Sequence, residues 1–282
     1  MRIFLRVTLY TLLLSSCKKY APAEDAFFIK SNTVSVTTKS SEGSGSNKIT
    51  DLFLYVNGQF QGAYPVGKLL PIVTKGEPVR INIFAGIKNN GISETRISWN
   101  FYQYLQIDTM VEKGKTIERP FRFTYNSNVK FEWIEDFDNP TATTILNSPI
   151  SNAKYKIASA ADSYEGRSLE LEIAPNSSSV IAQVESSGYY PLPAGSSNVF
   201  LEMDYKSNQV FEVGLFGGSE LKTALMINPQ PNWNKIYIQL ANAVSNSPVY
   251  DTYKVYFRML KTADNDNPKL FLDNIKLIHF NE

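Results

Sequence analysis

Val199-Phe200-Leu201-Glu202-Met203-Asp204-Tyr205 puts Val199, Leu201, Met203 and Tyr205 on one side of an extended chain and Glu202 and Asp204 on the other. A period of two is the signature of a strand with one face in a core and the other face outward. The pattern recurs on both sides of this stretch. Leu169, Leu171 and Ile173 alternate with Glu170 and Glu172, and Ile236, Ile238 and Leu240 alternate with Tyr237 and Gln239. Phe211 to Leu215, Tyr253 to Met259 and Leu270 to Ile278 read the same way, and no stretch combines a helical period with caps. The expected fold class is therefore all-β.

Working toward the amino end, Val34 and Val36 alternate with polar neighbours, a Gly/Ser-rich loop runs from Ser40 to Asn47, and Leu52 to Val56 leads into Asn57-Gly58. Asn-Gly supplies the two positive φ values of a tight hairpin turn. Val79, Ile81 and Ile83 alternate again, a second Asn-Gly stands at Asn90-Gly91 before the aromatic run Trp99 to Tyr104, and Gly114 turns the chain into Ile117 to Tyr125. Five or six short strands separated by turns suggest a β-sandwich over residues 27–126. The turn-forming residues Asn126 to Lys130 mark the expected joint with a second unit over 130–282.

Four short motifs of that second unit occur in a telling order: Glu135-Asp136-Phe137-Asp138, Gly166-Arg167-Ser168-Leu169, Trp233 to Ile238, and Leu272-Asp273-Asn274-Ile275-Lys276-Leu277. From about Phe131 to Phe280 the chain resembles the galactose-binding-like jelly roll of many carbohydrate-binding modules. The first unit, through Tyr55 to Gly62 and Gly86 to Ser93, is similar to immunoglobulin-like and PEGA-type modules of bacterial lipoproteins. The resemblance thus implies an immunoglobulin-like β-sandwich followed by a C-terminal jelly roll. In several such jelly rolls the first and last strands jointly hold a structural calcium, which makes Asp136 and Asp273 the metal candidates. Calcium takes six to eight oxygens, and turn-capping carboxylates are the competing account. For Trp233 the resemblance implies packing between a strand and a loop.

The amino terminus carries an address. Arg2 and Arg6 precede an apolar run, Val7 to Leu14, which is too short to cross a bilayer core of about 30 Å as a helix. Leu14-Ser15-Ser16-Cys17 then resembles the lipobox of bacterial lipoproteins, which implies a signal peptide over 1–16 and lipid on Cys17. Cys17 is the only cysteine of the 282 residues, so no disulfide partner competes for it. Residues 17–26, with Lys18, Lys19 and Pro22, read as a tether. The expected location is the cell envelope, lipid-anchored at the outer membrane, and the order of Lys18-Lys19 before Glu24-Asp25 leaves both the periplasmic and the surface-facing placement open.

Composition excludes several function classes. Lysine and arginine number 28 against 27 acidic residues, so no basic field invites nucleic acid. The single histidine, His279, lies among apolar strand residues; neither a Ser-His-Asp triad nor a His/Cys zinc site can be assembled. Glu202-Met203-Asp204 lacks the third carboxylate of the jelly-roll glucanase motif, so catalysis is not expected. Sugar binding needs flat aromatic faces beside polar groups. Tyr189 and Tyr190, stiffened by Pro191 and Pro193, are the candidate ligand-binding residues. The expected partners are the membrane, through the lipid, and a polysaccharide; the alternative is docking to an envelope protein.

Overall fold

A computed structural model describes residues 25–74, 76–110, 112–218, 220–245 and 252–281. The expected signal peptide, Cys17 and most of the expected tether lie outside the described residues. Ten strands precede Asn126: β1 (Asp25–Lys30), β2 (Val34–Thr37), β3 (Asp51–Val56), β4 (Gln59–Pro65), β5 (Leu70–Thr74), β6 (Val79–Lys88), β7 (Arg96–Ser98), β8 (Leu105–Thr109), β9 (Thr116–Glu118) and β10 (Phe121–Thr124). They form a sandwich. One side is the sheet β4-β3-β6-β7, with β8 also on β6; the other combines β5-β1-β9 with β10-β2. The count exceeds the five or six expected in part because two extended stretches are each cut in half. β1 and β2 run parallel to β9 and β10, and the break at Pro120 follows from its missing N–H.

The local chemistry of the turns behaves as their residues dictate. Asn57 and Gly58 have φ of 48° and 79° and close the β3–β4 hairpin, and Asn90 and Gly91 repeat this with 55° and 71°. Leu52, Leu54, Ile81 and Ile83 fill the interior. The opposite face of the same sheet carries an aromatic stripe: Phe60 with Phe53 and Tyr55, Tyr55 with Phe84, and Phe84 with Tyr104 at 4.9 Å between centroids.

Twelve strands follow: β11 (Val129–Glu135), β12 (Ile145–Asn147), β13 (Tyr155–Ile157), β14 (Leu169–Glu172), β15 (Ile181–Ser186), β16 (Tyr190–Pro191), β17 (Val199–Ser207), β18 (Phe211–Gly217), β19 (Glu220–Ile227), β20 (Gln230–Gln239), β21 (Thr252–Leu260) and β22 (Lys269–Phe280), with the short helix α1 (Ala241–Ser245) before β21. The strands fall into two antiparallel sheets, between which the chain passes back and forth. The front sheet is β13-β14-β22-β17-β20 with β11 on β22, and the back sheet is β12-β15-β21-β18-β19 with β16 on β21. This is a jelly-roll sandwich. Its core takes the alternate residues of the founding stretch, Val199, Leu201, Met203 and Tyr205, together with Leu169, Leu171, Ile236, Ile238, Leu272 and Leu277.

The two cores are not fully separate. Phe200, Tyr237 and Ile278 project from the outer face of the front sheet and belong to the first sandwich's core. Trp99 meets Phe200 and Tyr237 edge-on, each at 4.8 Å, and Phe101 stacks on Phe280 at 4.4 Å. The Asn90 hairpin tip joins the edge of β20: Asn90 N donates to Tyr237 O and Gln239 N donates to Asn90 Oδ1, both at 2.9 Å. The aromatic run Trp99 to Tyr102 is therefore the plug of an inter-sandwich joint.

Candidate functional site

The outer face of the front sheet is built by the side chains that alternate with the core. Across β14, β22 and β17 the register aligns Glu170, Phe271 and Lys206 in one row and Asp273 with Asp204 in the next; Lys276 and Glu202 follow, then Ile278 and Phe200. β20 extends these rows with Lys235 beside Asp204 and Tyr237 beside Glu202. The first sandwich covers the rows from Asp204 to Phe200. The row of Lys206 and Trp233 stays open.

Covering the middle rows buries charge. Glu202, Asp204, Lys235 and Lys276 are all almost wholly removed from solvent. Lys235 Nζ lies 3.5 Å from Asp204 and 3.8 Å from Glu202. Tyr125 Oη donates to both oxygens of Glu202 at 3.0 Å and accepts from Lys276 Nζ at 3.3 Å, and the same ammonium donates to Ser44 O at 2.6 Å. Two carboxylates thus face two ammonium groups, the arrangement that burial of charge requires. Burial pushes the Lys276 ammonium down to about 8, the Glu202 charge opposing the shift only in part. Burial likewise raises the Tyr125 hydroxyl well above its ordinary value, helped by the charge of Glu202. Glu202 is wholly withdrawn from solvent, and Asp204, 1% exposed, is paired with Lys235.

The open row holds the aromatic side chains. Trp233 is half-buried, 5.6 Å from the Tyr164 ring and 6.4 Å from Phe271. Lys206 Nζ stands 4.3 Å over Phe271 and 5.5 Å from Trp233. Tyr164 is 41% exposed and comes from the loop before β14, tied down by Ser168 Oγ. Asp273 organises that loop: its Oδ2 accepts from Glu165 N and Ser168 Oγ, and its Oδ1 accepts from Asn274 N. Gly166 is required there, because at φ 42° a Cβ would sit 1.9 Å from Asp138 Oδ1.

One cleft is lined by Trp233, and a second shares Lys48, Asn234 and Lys235 with it. The smaller, about 200 Å³, lies between Tyr164, Trp233, Asn234, Asp204, Lys235, Asn47 and Lys48. The larger, about 470 Å³, runs along the joint between Lys48, Lys88 and Asn90 of the first sandwich and Gln230, Asn234 and Lys235 of the second. Lys48 Nζ donates to Asn234 Oδ1 where the two meet. The polar groups along this line are mostly amides and ammonium groups, and the aromatic wall stands at one end.

The residues singled out in the sequence sit elsewhere. Tyr189 is 51% exposed with Lys254 Nζ 5.1 Å from its ring. Tyr190 is half-buried, its ring stacked on buried Trp133 at 5.8 Å, and burial first and then the Glu135 charge push its hydroxyl up to about 12. Their rings therefore serve different surfaces. Asp136 is exposed and caps its own turn by accepting from Asp138 N, whereas Asp273 is fully buried with both oxygens committed to N–H and O–H donors. Among the described residues no group of three or more His, Cys, Asp or Glu side chains is placed to hold a metal ion. His279 Nε2 lies 2.9 Å from Glu132 and Nδ1 2.7 Å from Phe280 O, so both nitrogens are engaged. Trp233 packs between the loop of Tyr164 and the strand of Phe271, as the resemblance implies, but half-buried on the outer face rather than in the core. It shares the side of β20 that carries Lys235 and Tyr237, so the period-two register turns it outward, and a count from Lys235 would have found it.

The chain matches no protein-family model and no curated protein sequence. Several solved structures are similar to about half of the chain. A family 11 carbohydrate-binding module from Clostridium thermocellum, in complex with a β-1,3-1,4-mixed-linked tetrasaccharide, is 18% identical; the match covers 54% of this chain and 98% of that one, with a TM-score of 0.34. A xylan-binding domain from Paenibacillus barcinonensis is 12% identical over 55% of this chain and 97% of its own, with a TM-score of 0.37. A cyclase from Fischerella sp. TAU is 14% identical over 55% and 99%, with a TM-score of 0.39. At these values the fold rests on the strand order itself, and one fold serves many functions.

Proposed function

We propose that this chain is a lipid-anchored protein of the bacterial cell envelope whose jelly roll binds a glycan without catalysis, at the open row of its front sheet. The observation that carries the reading is the half-open Tyr164–Trp233 wall beside clefts lined by amides. The C–H face of a pyranose packs on such rings while its hydroxyls bond amide groups. The buried Glu202, the lysine-paired Asp204 and the committed His279 favour binding over chemistry. The lipid anchor rests on Leu14 to Cys17 and the outer membrane is the proposed location.

Calorimetry of the full chain against soluble β-glucans, xylans, galactans and uronate polymers tests the reading. Trp233→Ala is expected to weaken binding at least about tenfold, some 1.4 kcal/mol, while leaving the melting temperature nearly unchanged. Tyr189→Ala serves as the contrast, since loss of binding there instead would move the site to the Tyr189-Tyr190 loop. Failure of every polysaccharide to bind the folded chain would sink the proposal. A second reading, docking to another envelope protein, has its own observation in the stripe of exposed Phe60 and Tyr104 and half-buried Tyr55 and Phe84 on the first sandwich, because solvated sheet faces ordinarily carry polar residues.

A further inference from the structure

The larger cleft has a charge pattern that the smaller one lacks. Lys48, Lys88 and Lys235 line it and no carboxylate does. Lys48 bonds the neutral Asn234 and Lys88 the neutral Ser93, and among the described residues neither has a carboxylate within ion-pair distance. Lys235 is different: its charge is turned to the buried Asp204 and Glu202, yet its Nζ makes no hydrogen bond. Loss of solvent around the Lys48 ammonium, and then the nearby Lys88 charge, lower its affinity for a proton. An anion between these two lysines would relieve that repulsion.

The rest of the lining narrows the anion. Asn90, Asn228, Gln230 and Asn234 bring four side-chain amides, Thr50 brings a hydroxyl, and exposed Ile92 and Met226 stand at the walls. A bare phosphate would engage the lysines and leave the amides and apolar walls without a role. A neutral sugar would use the amides and leave two lysines uncompensated. A sugar that carries a carboxylate uses all three kinds of group.

Building on the glycan-binding reading, we propose that the joint cleft selects uronate-bearing glycans, with Lys48 and Lys88 holding the carboxylate and both sandwiches contributing to one site. The first sandwich is then part of the recognition surface.

The test titrates the full chain with polygalacturonate, with the same polymer after reduction of its carboxyl groups, and with neutral galactan. Polygalacturonate should bind and the two neutral polymers should bind at least about fivefold more weakly. Lys48→Gln and Lys88→Gln should each weaken polygalacturonate binding up to about fivefold, the upper end for a solvent-facing ion pair. Lys88→Arg should keep the affinity, and raised salt should reduce it. Both lysines reach solvent, so a melting curve is expected to show the variants fully folded. Equal binding of the reduced polymer, an unchanged affinity in the doubly substituted Lys48→Gln, Lys88→Gln chain, or equal competition by inorganic polyphosphate would each overturn the inference. Should neutral glycans bind through Trp233 while uronates do not, the inference fails and the glycan reading stands; if nothing binds, both fail.

Discussion

Replacing Lys276 by Met removes one of the two ammonium groups from the buried joint while keeping the length of its aliphatic stem. Glu202 would keep the Tyr125 hydroxyl at 3.0 Å and Lys235 at 3.8 Å, so it would be under-compensated rather than isolated. Breaking a buried charge pair costs about 3 to 5 kcal/mol. The lower end applies here, because the surviving Lys235 offsets part of the loss and the burial that holds Lys276 near 8 is itself relieved. A domain of this size loses about 2 to 4 °C per kcal/mol, which puts the expected drop at roughly 6 to 12 °C. Circular dichroism melts at pH 7 of parent, Lys276→Met and the double variant Glu202→Leu, Lys276→Met measure it. The double variant leaves Asp204 against Lys235 and should recover at least half of the drop, since a removed pair costs far less than a broken one. A melting temperature for Lys276→Met within about 2 °C of the parent would refute the account, as would a double variant less stable than the single.

Two further outcomes follow from groups described above. Burial pushes the Asp273 carboxyl up to about 7 from an ordinary value of 3.8, so the folded chain binds the extra proton between those values and its stability falls as pH rises through that window. Asp273→Asn abolishes this slope, and the stability of the parent relative to Asp273→Asn should decline between pH 4.5 and pH 7 in melts; a constant difference would count against it. At the amino terminus, Cys17→Ser should abolish incorporation of labelled fatty acid in a bacterial host, and unchanged labelling would remove the anchor.

Period-two alternation located the strands of the jelly roll because each puts one residue in two into a single core, as Val199, Leu201 and Met203 do. What lies against the other face is not written in that period. Glu202 and Asp204 read as solvent-facing charges, yet the first sandwich buries them, because a covering surface made of Tyr125 and Trp99 comes from residues about 75 to 100 positions away. The Ser40 to Asn47 loop was equally opaque. Its Gly/Ser content signalled a turn, but Ser44 O receives Lys276 and Ser44 Oγ donates to Glu165, contacts that depend on where the two sandwiches meet. Trp233 stayed hidden for a related reason: the residue type suggests core, and only the register of β20 assigns its side.

The joint also has a consequence for the order in which the chain acquires structure. Phe200, Tyr237 and Ile278 complete the hydrophobic interior of strands that begin at Asp25, and β22, the final strand, pairs with β11, β14 and β17. An emerging polypeptide would therefore hold Trp99 without Phe200 and Tyr237, and Phe101 without Phe280, until the strands that carry them were free. Contacts of such long sequence separation slow folding and lengthen the time that sticky surface is exposed. Under the export proposed above, the leading sandwich would need a holding chaperone, or tolerance of a loosely packed interval, until Ile278 arrives.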